Sequence, residues 1–149
     1  MIKNVSRVYL CAMFTEQQEK WLKRVEEIFF RLGIKSLTMD DVARELGISK
    51  KTLYQFVENK DDLVAKVMDR HMESQCQVDQ LLHAESSNAI DEMVRVIKQL
   101  MNDLQQMKPN LVHELQKYHR ETWERLEHFQ RDYIYKVAKD NLEWGRRDG

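Results

Sequence analysis

Apolar residues recur along this chain at steps of three and four, the spacing that lines one face of a helix. Over residues 16–32, Trp21, Leu22, Val25, Ile28, Phe29 and Leu32 share a face, and Gly33 ends the helix. Two short amphipathic segments then flank Gly47-Ile48-Ser49. Thr38 precedes an acidic first turn, Asp40-Asp41, so its hydroxyl can cap the first segment. Gly47 can close that segment because glycine tolerates the left-handed conformation, and Ser49 can cap the second. After Asn59 a long stripe follows: Leu63, Val64, Val67, Met68, His71, Met72, Gln75, Val78 and Leu82, with the helix reaching about Ala84. Residues 85–88 read as a loop. Ile90, Met93, Val94, Ile97, Leu100, Met101, Leu104 and Met107 make the next amphipathic helix. Pro109 breaks it and opens a short helix to Tyr118, proline being permitted at a first helical position. A long last helix puts Trp123, Leu126, Phe129, Tyr133, Ile134, Val137 and Leu142 inward and frays at Gly145 and Gly149.

Composition narrows the class. Four glycines and one proline in 149 residues leave little for turns and sheets, which points to an all-α protein. The organisation expected is an irregular extension over 1–14, a head over 15–60 and a helical body over 61–149. Charged residues make up 33% of the chain, yet the net charge is −1. That excludes a protein that coats nucleic acid through bulk positive charge, while a specific reader with basic groups on one face remains allowed. Cys11 and Cys76 are far apart and form no C-x-x-C, so both read as buried reduced thiols. The apolar run 8–14 lacks a cleavage site, and no stretch approaches the ~18 apolar residues of a membrane span. The expected location is the cytoplasm.

The chemistry concentrates between Thr38 and Lys60. Ala43, Ile48 and Leu53 sit where a helix-turn-helix needs a small residue at the crossing, an apolar plug in the turn and an apolar contact on the second helix. The second helix then turns Lys50, Lys51, Thr52, Tyr54 and Gln55 outward, side chains suited to phosphates and base edges. Those positions, together with Ile28-Phe29, Gly33, Val42-Ala43, Gly47-Ile48-Ser49, Lys60 and Leu63, resemble the N-terminal signature of TetR-family transcriptional regulators. The resemblance runs from about residue 25 to 63, roughly a quarter of the chain. Lys51 stands where the family often has glycine, and Val57 where it most often has phenylalanine.

The resemblance implies roles. Thr38 would donate to a DNA phosphate, and Lys50, Lys51 and Thr52 would open a recognition helix in the major groove. Tyr54 would hold a phosphate, Gln55 and Phe56 would approach bases, and Lys60 would clamp a phosphate beside a helix N-terminus. It further implies a ligand-responsive repressor that binds a palindromic operator in double-stranded DNA as a homodimer. Family members usually continue into two further helices that pair with a second copy. The body over 61–149 therefore reads as incomplete, and an uncovered apolar stripe is expected on it. The alternative is a shortened regulator that pairs with a full-length relative and binds little DNA itself.

An effector cavity among the body helices would draw on Met93, Met101, Tyr118, Trp123, Phe129 and Tyr133, since methionine adapts to varied ligands and Tyr or Trp adds a polar handle. The effector itself is unknown. His71, His83, His113, His119 and His128 have neither the spacing nor the glutamate partners of a helical metal site and read as surface or loosely packed residues. Glu114, Glu121, Glu124, Glu127 and Asp132 alternate with Lys117, Arg120, Arg125, Arg131 and Lys136 as a solvated, ion-paired helix face. No cofactor, metal site or enzymatic nucleophile is expected.

Overall fold

A computed structural model describes residues 14–148, and these form seven α-helices with no strand. The head comprises α1 (Glu16–Leu32), α2 (Met39–Leu46) and α3 (Lys50–Phe56). The body comprises α4 (Lys60–Glu85), α5 (Ala89–Gln106), α6 (Pro109–Tyr118) and α7 (Arg120–Asp148). The extension over 1–13 and Cys11 lie outside the described residues, as does Gly149.

Five helix starts carry a side-chain cap. Thr15 and Gln18 exchange bonds as a capping box on α1, and Thr38 and Asp41 do the same on α2. Ser49, Asn59 and Asn88 each accept from the backbone N–H three residues on, opening α3, α4 and α5. Each such cap contributes ~1 kcal/mol by satisfying a donor that the helix cannot. Gly33 (φ 84°) and Gly47 (φ 66°) end α1 and α2 in conformations with positive φ.

One apolar cluster runs from head to body without a break. Leu22, Val25, Ile28 and Phe29 of α1 meet Leu63, Val64, Val67 and Met68 of α4, each burial contributing ~1.5–3 kcal/mol. Val42 and Leu53 close the head over this seam, and Leu111, Leu115, Leu126 and Phe129 extend it into α6 and α7. Helix α4 is the spine, packing against α1, α5 and α7.

Several side chains depart from the pattern expected of the body. On α5 the apolar residues occupy two faces. Val96 is buried and Leu100 and Met107 face inward, but Ile90, Val94, Ile97 and Met101 are exposed at steps of four, three and four. On α7, Ile134 and Leu142 point outward, while Asn141 is buried and donates to Ala89 O at 2.7 Å and Glu92 Oε2 at 2.6 Å. Helix α7 does not fray at Gly145, because Gly145 packs so close to Ala89 that an added Cβ would lie 3.4 Å from the alanine methyl.

Glu114 is not on a solvated face. It is buried, and its carboxylate accepts from the backbone N–H groups of Ile34 at 2.5 Å and Lys35 at 3.0 Å, with Asn110 Nδ2 at 3.2 Å. Those two N–H groups belong to the turn between α1 and α2, so α6 of the body holds the head by its backbone. Nearby, Lys108 Nζ donates to Arg31 O at 3.0 Å. Replacing Glu114 by alanine leaves both turn donors without their partner and should cost about 2–4 kcal/mol. Urea unfolding of Glu114→Ala checks this, and a loss under ~0.5 kcal/mol, the scale of a surface substitution, would show the contact to be incidental.

Candidate nucleic-acid interface and body cavity

The turn between α2 and α3 is built from the backbone outward. Gly47 N–H donates to Arg44 O at 3.1 Å and Ile48 N–H to Ala43 O at 3.0 Å, which folds the chain back sharply. Ala43 and Leu53 are buried, so α3 is pinned by its inner face and the opposite face is presented to solvent. Lys50, Lys51 and Gln55 are exposed there, with Tyr54 beside them at 43% exposure. Lys50 Nζ lies 3.0 Å from Asp40 Oδ1 on α2, and this pairing holds the ammonium above its usual range. Lys51 extends freely from the first turn of α3. Thr52 is half-buried, its hydroxyl 2.9 Å from Ser49 Oγ within the cap.

Three other residues expected at the interface are placed differently. The hydroxyl of Thr38 is exposed but donates to Asp41 Oδ2 at 2.6 Å, so it would have to rotate to reach a phosphate. That same bond holds the Asp41 carboxyl below its usual range. Phe56 turns inward: its ring meets Phe14 at 6.3 Å and Trp21 at 6.1 Å, with Lys66 Nζ at 5.5 Å from its centroid. Val57, in the family's phenylalanine position, is buried beside it. Lys60 donates to the carbonyl of Leu37, tying the start of α4 to the start of α2. Partial burial lowers the Lys60 pKa, against the pull of Glu114, Asp61 and Asp41.

The body encloses a cavity of about 490 Å³. Trp123 and Tyr133 line it, and Phe129 is buried behind Tyr133, stacked at 5.6 Å. Met93, Met101 and Tyr118 are not in the wall. Met101 belongs to the outer stripe, and Tyr118 lies on the surface between Lys35 and Lys117, whose ammonium groups stand 5.4 and 5.3 Å from its ring. The residues that sequence reasoning missed are polar: Glu26 of α1, His71 and Gln75 of α4, and Gln99 and Asp103 of α5. Phe30 of α1 joins them, so the cavity touches the head directly.

His71 is buried on the inward stripe of α4, more tightly held than a surface or loosely packed histidine. Its Nδ1 lies 2.6 Å from Glu26 Oε1, and the other oxygen of that carboxylate accepts from Arg70. Of the remaining histidines, His113 and His128 are exposed, His83 pairs with buried Glu92 at 2.6 Å, and His119 lies 2.9 Å from Asp61. Among the described residues no three His, Cys, Asp or Glu side chains converge as metal ligands. Cys76 is a half-buried free thiol whose pKa burial raises. No helix among them is long and apolar enough to cross a membrane.

Residues 22–67 match the model for bacterial regulatory proteins of the tetR family. Over this stretch the chain resembles that family. It is 33% identical over 95 residues to an uncharacterised helix-turn-helix transcriptional regulator, YvaF, of Bacillus subtilis (strain 168). That match covers 63% of this chain and 50% of the relative, so the chain spans about half the length of the curated relative it matches. The fold is that of a TetR-family transcriptional regulator from Bordetella parapertussis 12822, with a TM-score of 0.60 at 18% identity over 91% of this chain and 71% of that one. TetR-family proteins are DNA-binding transcription factors rather than enzymes.

Within the TetR-like body, Asp103 carries a cost. It accepts a hydrogen bond from Gln99 Nε2 at 2.8 Å, and burial raises its pKa above the ordinary aspartate value. A carboxyl whose folded pKa lies above its unfolded one destabilises the fold as pH rises through that interval, because ionisation is easier in the unfolded chain. Asp103→Asn should therefore raise the melting temperature at neutral pH, with the gain vanishing as pH falls below the ordinary aspartate pKa. Calorimetry across that range checks both halves.

Proposed function

We propose that this chain is a sequence-specific DNA-binding regulator that acts as a homodimeric repressor on an inverted-repeat operator and is released by a small molecule held in the body cavity. The observation that carries the reading is the outward face of α3, where Lys50, Lys51, Tyr54 and Gln55 stand together on a helix pinned by Leu53. Lysines and a tyrosine hydroxyl suit phosphates, and glutamine can pair with an adenine edge. In the cytoplasm such a head competes against the whole genome, so one copy would bind weakly. Pairing two heads makes the second contact intramolecular and multiplies affinity on the order of 10²–10⁴.

The cavity supplies the response. Glu26 and Phe30 belong to the first head helix, and His71 to the helix that joins head to body. A ligand touching all three would bias the angle between α1 and α4, and with it the placement of α3. The exposed stripe Ile90, Val94, Ile97 and Met101 favours a second reading, a module that pairs with a longer relative and binds little DNA alone. Sedimentation separates the two: a homodimer at micromolar concentration supports the first, a monomer the second.

Selection from random duplexes at low salt should recover an inverted repeat. On the recovered site, Tyr54→Phe should weaken binding to all sequences alike. Gln55→Ala or Lys51→Ala should shift the preferred bases, each lost base pairing costing ~1–3 kcal/mol of discrimination. If the three variants change affinity without changing preference, α3 is not the reading helix.

A further inference from the structure

Several polar atoms of the cavity wall are acceptors, set among the amides of Gln99, Gln106 and Gln130, the Ser74 hydroxyl and the Trp123 indole. His71 Nδ1 faces the Glu26 carboxylate at 2.6 Å, so in the neutral ring that nitrogen carries the hydrogen and Nε2 is an acceptor. Nε2 is buried and has no partner, and Gln75 Oε1 is buried without one as well. Asp103 adds a carboxylate that accepts from the neutral amide of Gln99. The wall contains two acids and no lysine or arginine, and only Glu26 is balanced by a neighbouring guanidinium, that of Arg70.

Around these acceptors stand Phe30, Trp123 and Tyr133, whose ring faces attract a cation. The rest of the wall is largely aliphatic, from Val78, Leu82, Val96 and Leu100. We propose that the cavity takes an amphipathic organic cation, a protonated amine on an apolar body, with the ammonium donating to Asp103, His71 Nε2 and Gln75 Oε1. An anion would meet two carboxylates and no cation. A neutral alcohol would supply one donor and leave Asp103 uncompensated.

This inference rests on the reading of the cavity as an effector site, and the probes are chosen to separate the two. Adamantylamine, adamantanol and adamantanecarboxylate present one hydrocarbon cage with an ammonium, a hydroxyl or a carboxylate. Each is titrated into the whole chain and followed by equilibrium dialysis and by the fluorescence of the tryptophans, Trp123 being in the wall. The amine should bind at least about tenfold more tightly than the alcohol, the scale of one charge-assisted hydrogen bond, and the carboxylate least. Asp103→Asn should erase the amine's advantage while leaving the alcohol's affinity within about twofold, and Gln75→Met should reduce it. Because Asp103→Asn is expected to be the more stable protein, lost binding cannot be ascribed to misfolding. Equal or tighter binding of the alcohol or carboxylate, no binding of any probe, or a preference that survives Asp103→Asn would overturn the proposal. Tighter carboxylate binding in a protein that still selects an inverted repeat would sink the cation alone and leave the regulator standing. Amine preference in a protein that selects no DNA would do the reverse.

Discussion

The head is held in place through the backbone of a turn. One carboxylate, that of Glu114, takes the N–H groups of Ile34 and Lys35, donors that the end of α1 leaves without helical partners. Gly33 makes this possible. Its positive φ ends α1, and an added Cβ there would lie 3.1 Å from both Glu114 oxygens. The next residues lead to Thr38, which caps α2, and to Leu37, whose carbonyl receives Lys60. The orientation of α2, and so of α3, is thus fixed from two sides, by α6 through Glu114 and by α4 through Lys60. A surface ion pair in the same place would hold little, being screened and entropically costly. A buried carboxylate on two backbone donors is directional and hard to replace by water.

The head was legible in the sequence because its signals are local. Thr38, Ser49 and Gly47 act within one turn of themselves, and the caps and the left-handed glycine appear where those residue types require them. The body was legible in outline for the same reason: Asn88, Pro109 and the polar run over 85–88 mark breaks in the chain. What failed was the choice of face. Helix α5 is apolar over so much of its circumference that periodicity alone could not tell Val96, which is buried, from Ile97, which is exposed. Glu114 looked like a solvent-facing residue because its backbone partners lie dozens of positions away.

The same limit explains the cavity. Aromatic and methionine residues were sensible guesses, but a cavity wall is defined by which faces meet, so Trp123 and Tyr133 qualify while Met101 and Tyr118 do not. A usable signal was present. His71 and Gln75 interrupt the inward stripe of α4 between Val67, Met68 and Val78, and polar residues on an apolar face need a partner or a purpose. Phe56 shows the opposite error. A helix of seven residues has room for few outward positions, and Phe56 instead packs its ring against Phe14 and Trp21.

Cavity and head meet at Glu26. Its two oxygens are divided between Arg70 and His71, both on α4, so the carboxylate spans the joint between the first head helix and the spine. A donor placed on His71 Nε2 would polarise the ring and strengthen the Nδ1–H bond to Glu26, because hydrogen bonds in a chain reinforce one another in a low dielectric. A ligand could then alter the head without moving far, by stiffening one contact at the hinge while the Glu114 contact holds the other side. Nε2 and Gln75 Oε1, buried without partners, and the carboxylate of Asp103 lower the stability of this joint. Polar atoms left without partners at the junction of reader and body are costly to the fold, and that cost is what gives a bound donor something to act on.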